Sequence, residues 1–336
     1  MLNTVLAPSI EDPPPAASAA VLAEAFGRRF AIFADAEEEF DWGKPLHRDH
    51  TSTTAIASLP AATRRLNARG VIPTYLVDYP VMDTDHSAAT LRAMVDDGSC
   101  TFGTQLHPWV NPPYEEVLSA PNSFAGRLPI ALERAKLCAL TERITEILGS
   151  RPLVYRAGRY GVGPNTAALL IEQGYRMDVS VRSRFDYSAQ GGPNFMSHPI
   201  IPYWIADSLL EVPLTTGFNG MLRRWPGLYA LNRLHGPMAA ARLLSRVPLT
   251  PEGTPLDEAL AVIRYLLDAG VRLFSLSFHT PSVEVGHTQY VRDQADLTLF
   301  WQWWDGVFDL FARENVLPTG PDAILAAAHH AGRSPS

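Results

Sequence analysis

Short apolar or β-branched segments alternate with longer segments of helical periodicity along this 336-residue chain. The segments predicted as buried strands are 30–33, 73–77, 103–106, 153–156, 177–181, 210–214 and 273–278. The segments predicted as helices are 129–148, 165–173, 256–269 and 294–313. Alternation of this kind favours a parallel sheet that is closed or nearly closed into a barrel, with helices around it. The sequence therefore predicts an α/β fold.

The composition favours one large domain. The chain is 46% hydrophobic and 19% charged, which is ordinary for a globular protein, and no linker-like segment divides its middle. Residues 1–27 contain Pro13, Pro14 and Pro15 and many alanines, so we predict a flexible N-terminal segment there. We place the folded domain at residues 28–328 and a polar tail at 329–336.

The charge and the cysteines exclude several classes of protein. A net charge of −7 argues against a nucleic-acid partner, which would need a concentrated basic surface. The N-terminus lacks the basic start and apolar core of a secretory signal, and no apolar run is long enough to cross a bilayer. Cys100 and Cys138 have no metal-site or disulfide spacing. We therefore expect free thiols in a reducing compartment and a cytoplasmic location.

Polar residues that could carry chemistry fall at the same end of several predicted strands. They are Asp35 and Glu37 after the first strand, His107, Arg156, Asp178 and His279. In parallel barrels the active site is built at the carboxyl ends of the strands. Each residue taken alone has a plain structural explanation, such as a solvated acidic turn or a salt bridge. Their common position is the stronger signal, and it indicates a catalytic site.

Several of these segments contain long sequence motifs that are specific enough to compare with a known family. EEEFDW, PTYLVDYPV, QLHPWVNPP, YRAGRYG and SFHTPS occur in this order over nearly the whole predicted domain. In amino-acid sequence, order and spacing these motifs resemble those of the polysaccharide deacetylases, carbohydrate esterase family 4 with its NodB homology domain. Their sequences are most similar to the WalW-like branch of that family.

The resemblance implies a fold and a reaction. The fold is a distorted (β/α) barrel, and the reaction is metal-dependent removal of an N-acetyl group from an amino sugar or glycan. Asp35 would be the base and His279 the acid, with Arg156 orienting Asp35 and Asp178 pairing with His279. The divalent metal would be held by Glu37, His107 and Asn111.

Two departures from the family pattern bear on the metal. Glu37 stands where the family usually has Asp, and Asn111 stands where it has a second His. A neutral amide oxygen suits zinc poorly. We therefore expect a weakly held ion, either zinc or a harder transition metal. Two alternatives stay open: a metal-free glycan-binding or scaffolding protein, and a hydrolase of another amide C–N bond.

Three other segments carry predictions. Residues 182–207 show little periodicity, as expected for a lid or binding loop. The aromatic residues of 294–313 have helical spacing, which is typical of a core stripe. Residues 218–246 contain five arginines and no acid. They form either ordinary packing helices or a surface that binds phosphate, on an anionic membrane or on a phosphate-linked glycan. The five are Arg223, Arg224, Arg233, Arg242 and Arg246.

Overall fold

Most strands lie side by side in one parallel sheet that curls around on itself. The computed structural model describes residues 9–39, 43–230 and 235–331. The strands are β1 (Ala20–Leu22), β2 (Arg28–Ala36), β3 (Thr74–Val77), β4 (Thr101–Leu106), β5 (Val154–Ala157), β6 (Met177–Asp178), β7 (Tyr203–Ala206), β8 (Leu209–Glu211), β9 (Thr216–Asn219), β10 (Ser245–Pro248), β11 (Leu273–Leu276), β12 (Val316–Pro318) and β13 (Ala328–His330). The main sheet has the order β11-β2-β3-β4-β5-β6-β8-β7, and β12 also pairs with β2. The predicted α/β class is confirmed.

Helices follow most of the parallel strands and supply the outer layer. They are α1 (Leu59–Asn67), α2 (Tyr79–Asp83), α3 (Asp85–Asp96), α4 (Ile130–Leu148), α5 (Thr166–Glu172), α6 (His235–Ala240), α7 (Leu256–Asp268), α8 (Gln294–Arg313) and α9 (Pro321–Ala327). Within the described part of the chain, none of these helices has the length and apolarity that a membrane crossing requires.

The sheet has an outer and an inner core because successive strand residues face opposite sides. In β2, Phe30 packs in the outer core, whereas Ala31 and Phe33 pack inside the barrel. Asp35 comes two residues after Phe33 and therefore shares the inward face at the carboxyl end of the strand. Arg156 has the same inward position at the end of β5.

The seam of the barrel is closed just after β8. The backbone N–H of Thr215 donates to the carbonyl of Ser275 in β11 at 3.0 Å, and its hydroxyl accepts from the N–H of Ser275 at 2.9 Å. Leu249, which follows β10, then donates to the Thr215 carbonyl and accepts from the N–H of Ser277. These bonds join the end of the sheet to β11, which already pairs with β2, so the barrel is nearly complete.

Segments near both ends of the chain cover the amino end of the barrel. β1 pairs antiparallel with β13. Phe26 and Ile324 pack into the inner core there, whereas Ile10 is fully buried in the outer core beside His198. The packed unit therefore extends beyond the predicted limits of 28 and 328, because both terminal segments contribute apolar side chains and a strand.

The aromatic residues of α8 pack on β2. Phe30 stacks on Phe311 with ring centroids 4.6 Å apart, and Trp304 and Phe308 are also buried. Asp293 caps the start of the helix by accepting from two backbone N–H groups of its first turn. The prediction of a core stripe is thus confirmed.

Residues 182–207 are packed rather than free. Phe195 and His198 are fully buried, and His198 Nε2 bonds to the carbonyl of Ile10 at 3.0 Å. The end of the segment forms β7, which pairs antiparallel with β8. The segment therefore packs beside the barrel mouth, and Arg182, Tyr187 and Gln190 of this segment line a cavity there, as the prediction of a binding loop requires.

Residues 218–246 form part of a hairpin and a short helix. β9 pairs antiparallel with β10, and α6 lies between them. Arg246 donates to the carbonyl of Arg184 at 2.6 Å, and its Cζ lies 3.4 Å from the ring centroid of Phe185. Arg223 and Arg224 are exposed, and the predicted Arg233 lies outside the described residues.

One buried acid on α4 makes the stability of the fold depend on pH. Glu133 is almost fully buried and accepts a hydrogen bond from Thr166 Oγ1 at 2.5 Å. Burial raises the pKa of Glu133 from an ordinary 4.5 to about 7. The protonated Glu133 side chain therefore stabilises the folded state. This contribution to stability is present in full below about pH 4.5 and is lost as the pH rises through 7.

We expect Glu133→Gln to raise the free energy of unfolding at pH 8.5 by ~2–3 kcal/mol, because the amide keeps the acceptor and cannot ionise. At pH 4.5 the variant and the wild type should unfold alike. Urea unfolding at the two pH values measures both, with the exposed Glu142→Gln on the same helix as the control. A gain at pH 8.5 no larger than that of the control would contradict the prediction.

Candidate active site

A cavity of about 210 Å³ opens at the carboxyl end of the barrel. Its position follows from the fold, because the inward side chains at the strand ends have no further strand residues above them. Residues that line it include Asp35, Glu37, Gln105, His107, Arg156, Arg159, Tyr160, Arg182, Tyr187, Gln190, Thr250, Glu252, Ser277 and His279.

Asp35 is held from one side by a buried arginine. Oδ1 accepts a short hydrogen bond from Arg156 Nη1. The guanidinium also donates to the carbonyls of Phe33 and Val179, each at 3.2 Å, and to Ser277 Oγ at 2.9 Å. Arg156 is therefore fixed by several partners, and it leaves Oδ2 of Asp35 turned to the cavity.

His279 lies beside Asp35 at the carboxyl ends of the paired strands β2 and β11. Its Nε2 lies 3.7 Å from Asp35 Oδ2 and 3.9 Å from Glu37 Oε1. Its Nδ1 lies 2.6 Å from Glu252 Oε2, and its backbone N–H donates to Glu252 Oε1 at 3.1 Å. Burial alone would lower the pKa of His279, but the charges of Glu252, Glu37 and Asp35 raise it well above its usual value. These carboxylates therefore favour the imidazolium form of His279.

Asp178 does not pair with His279, contrary to the sequence prediction. Met177 and Val179, its neighbours in sequence, pack inside the barrel, so Asp178 faces outward. There it accepts from Ser180 Oγ at 2.5 Å and lies beside Glu211 on the adjacent β8. Burial raises the pKa of both acids. The partner of His279 is Glu252.

Glu37 and His107 meet as predicted, but an amide lies between them. Glu37 Oε2 is 3.5 Å from His107 Nε2. Gln105 Nε2 donates to Glu37 Oε2 at 2.9 Å and lies 3.1 Å from His107 Nε2. His107 Nδ1 is 2.8 Å from Glu38 Oε2. With Nδ1–H donating to Glu38, Nε2 is an acceptor, and the Gln105 amide satisfies both predicted ligands at once.

Asn111 is not part of the cavity. It is fully buried, and its Nδ2 donates to the carbonyl of Lys136 at 3.0 Å and to that of Pro112 at 2.6 Å. The loop after β4 turns it toward α4, where it ties the loop to the helix. This placement contradicts the prediction of Asn111 as a metal ligand.

Two groups of carboxylates and imidazoles among the described residues are close enough to hold a metal ion. They are Glu38, Asp78 and His107, and Asp35, Glu37 and His279. The first group is already satisfied. Glu38 accepts from His107 and from Trp109 Nε1, and Asp78 accepts from the backbone N–H groups of Glu38 and Val81. An ion there would have to displace these donors.

The second group contains the residues best placed for proton transfer. An ion bound between Asp35, Glu37 and His279 would displace the proton from His279, whose pKa is raised. The predicted set of Glu37, His107 and Asn111 does not assemble. Asp35, Glu37 and His279 could hold an ion, but an ion bound there would occupy both the base and the acid that proton transfer needs.

Comparisons with known proteins give fold-level likeness only. No model of a known protein family matches the chain, and no curated protein matches it. A chain from Mycobacterium smegmatis that is named as a polysaccharide deacetylase is 17% identical, with a TM-score of 0.49, covering 92% of this chain and 99% of its own. Puue allantoinase is 17% identical, with a TM-score of 0.48 and coverages of 94% and 93%. A chain from Pseudomonas aeruginosa PAO1, also named as a polysaccharide deacetylase, is 18% identical, with a TM-score of 0.45 and coverages of 90% and 95%.

Sequence reasoning missed two residues of the site. Glu252 follows the apolar segment Val247–Leu249, which is the same signal of an acid after a strand that identified Asp35. Gln105 lies two residues before His107 on β4 and therefore on the same face. Period-two alternation within the motif would have predicted its place in the cavity.

Proposed function

We propose that this chain is a hydrolase that cleaves the amide C–N bond of an N-acylated substrate, with Asp35 as base and His279 as acid. The observation that carries the proposal is the carboxylate of Asp35 3.7 Å from the imidazole of His279 in one cavity. Each group is fixed by its own buried partner, Arg156 for the base and Glu252 for the acid. An acid and a base held independently can carry out the two proton transfers of one reaction, from the attacking water and to the leaving nitrogen.

The reaction follows from this geometry. A water molecule gives a proton to Asp35 Oδ2 while its oxygen forms a bond with the amide carbonyl carbon. As the C–N bond breaks, His279 Nε2 gives its proton to the leaving nitrogen. The products are a carboxylic acid and an amine. Transfer of the proton from Asp35 to His279 through solvent restores the starting state.

The sequence motifs support an acetylated amino sugar or glycan as the substrate class, because they resemble the motifs of polysaccharide deacetylases. The volume of about 210 Å³ accommodates one small acylated unit. Free Cys100 and Cys138 support a cytoplasmic location.

The proposal is tested by measuring release of acid and amine from a panel of N-acetylated sugars and N-acetylated amino acids. Release by the purified wild type, absent from a catalytically dead variant prepared in the same way, is the expected result. Binding of a panel member with no release would favour the alternative of a glycan-binding protein. No release from any member would reject the proposed specificity.

We expect this hydrolysis to need no added metal. Dialysis against a chelator should leave kcat within about twofold of its starting value, because Gln105 already bridges Glu37 and His107. Added Zn²⁺ should inhibit, since its binding at Asp35 and His279 removes both the free base and the proton of the acid.

Elemental analysis before and after dialysis shows whether an ion was removed. Loss of activity on dialysis, with recovery on adding back one equivalent of a divalent metal, would contradict this prediction. It would also mean that Gln105 moves aside when the ion binds.

A further inference from the structure

One wall of the cavity carries a positive charge that no described carboxylate neutralises. Arg182 follows β6, and its backbone pairs with Leu214, which follows β8, so the residue is fixed at the barrel mouth. Its Nη1 donates to the hydroxyl of Tyr187 at 3.3 Å. Its Nε is buried without a hydrogen-bond partner, and the guanidinium forms no salt bridge within the described residues.

The surroundings of Arg182 are aromatic. Its Cζ lies 4.0 Å from the ring centroid of Phe185 and 5.2 Å from that of Tyr160. The guanidinium of Arg246 lies against the same Phe185 ring at 3.4 Å, so two cations share one aromatic side chain. Arg182 is half-buried, and leaving its buried Nε without a partner beside the charge of Arg246 is unfavourable.

The acids of the cavity do not relieve this charge. Asp35 and Glu252 are bonded to Arg156 and His279, and Glu37 accepts from Gln105. The lining of the cavity thus contains both the proton-transfer groups and a cation without a carboxylate partner among the described residues. A ligand that fills the cavity contacts both.

We propose that the substrate carries an oxyanion, a carboxylate or a phosphate, away from the scissile amide, and that Arg182 binds it. This inference rests on the proposed hydrolysis for the position of the amide. A guanidinium donates to an oxyanion through charge-assisted hydrogen bonds. The anion would supply the counter-charge that Arg182 lacks and would set the amide against Asp35 and His279.

The test compares ligands that differ only in this group. Calorimetry at low salt would measure the binding of N-acetylglucosamine 6-phosphate against N-acetylglucosamine, and of N-acetylglycine against its methylamide. We expect at least one anionic member to bind about tenfold or more tightly than its neutral partner, and the pair that shows this identifies the oxyanion. Equal binding within both pairs would overturn the inference.

Variants assign the effect to Arg182. Arg182→Gln should abolish the preference, and Arg224→Gln should keep it, because Arg224 is an exposed arginine outside the cavity. If Arg182→Gln does not fold, Arg182→Lys keeps the charge but loses the planar fork and should weaken the preference. An undiminished preference in the folded Arg182 variant would overturn the assignment.

Binding and turnover separate the two proposals. Preferential binding of the anion without hydrolysis would support the role of Arg182 and refute the proposed reaction. Hydrolysis of neutral and anionic substrates with equal KM would support the reaction and refute the role of Arg182.

Discussion

Replacing Asp35 by Asn is expected to lower kcat/KM by about 10²–10⁴-fold, because the amide cannot accept the proton of the attacking water. The fold should remain intact. Arg156 keeps its bonds to the Phe33 carbonyl and to Ser277 Oγ, and the Asn oxygen can still accept from it. Steady-state kinetics on the best substrate of the panel, together with thermal unfolding, measure both parts of the prediction.

Asp85→Asn is the matched control for this variant, since Asp85 is an exposed acid at the start of α3 that lies outside the cavity. It should retain wild-type kinetics. Unchanged turnover in Asp35→Asn would remove Asp35 from the mechanism. A large fall in its unfolding temperature would show instead that the Asp35–Arg156 pair is needed for folding.

Glu252→Gln should lower kcat/KM by about 10²-fold or more, while Asp178→Asn should stay within about threefold of the wild type. The charge of Glu252 raises the pKa of His279, so its removal lowers that pKa and leaves less imidazolium at a given pH. The fall in activity on the alkaline side should therefore begin at a lower pH in Glu252→Gln than in the wild type.

The pH dependence of kcat/KM for the two variants distinguishes the residue found beside His279 from the one predicted by sequence. Asp178→Asn keeps a hydrogen-bonding group beside Glu211 and should leave the alkaline limb unchanged. A shift of that limb in Asp178→Asn, with none in Glu252→Gln, would mean that the contact between Glu252 and His279 is not maintained in solution.

The sequence predicted the position of the site better than the partners within it. Asp35, Arg156 and His279 were predicted because each follows an apolar strand, and parallel strands end at one edge. Asp178 satisfies the same rule, but it lies on the outward face of β6. The ends of the strands show at which edge of the sheet the site lies. The alternation of side chains along each strand decides which of them face the cavity.

Other features of the fold depend on contacts that sequence periodicity does not encode. α8 was predicted with its observed bounds because its aromatic stripe is long and regular. α3 was missed because its polar and alanine-rich sequence has a weak apolar pattern. β7, β9 and β10 were missed because these short strands are defined by their pairing partners, whereas β8 overlaps the predicted strand 210–214.

Pairing of β1 with β13 ties the beginning of the chain to its end, which has a consequence for synthesis. During translation the early strands emerge long before Ala328–His330, the partner of β1. Until then the amino end of the barrel lacks its cover of Phe26 and Ile324, and inner apolar surface stays exposed. Domains with such distant pairings fold slowly and present aggregation-prone intermediates. The β1–β13 pair, which covers the amino end of the barrel, can therefore form only after Ala328–His330 have left the ribosome.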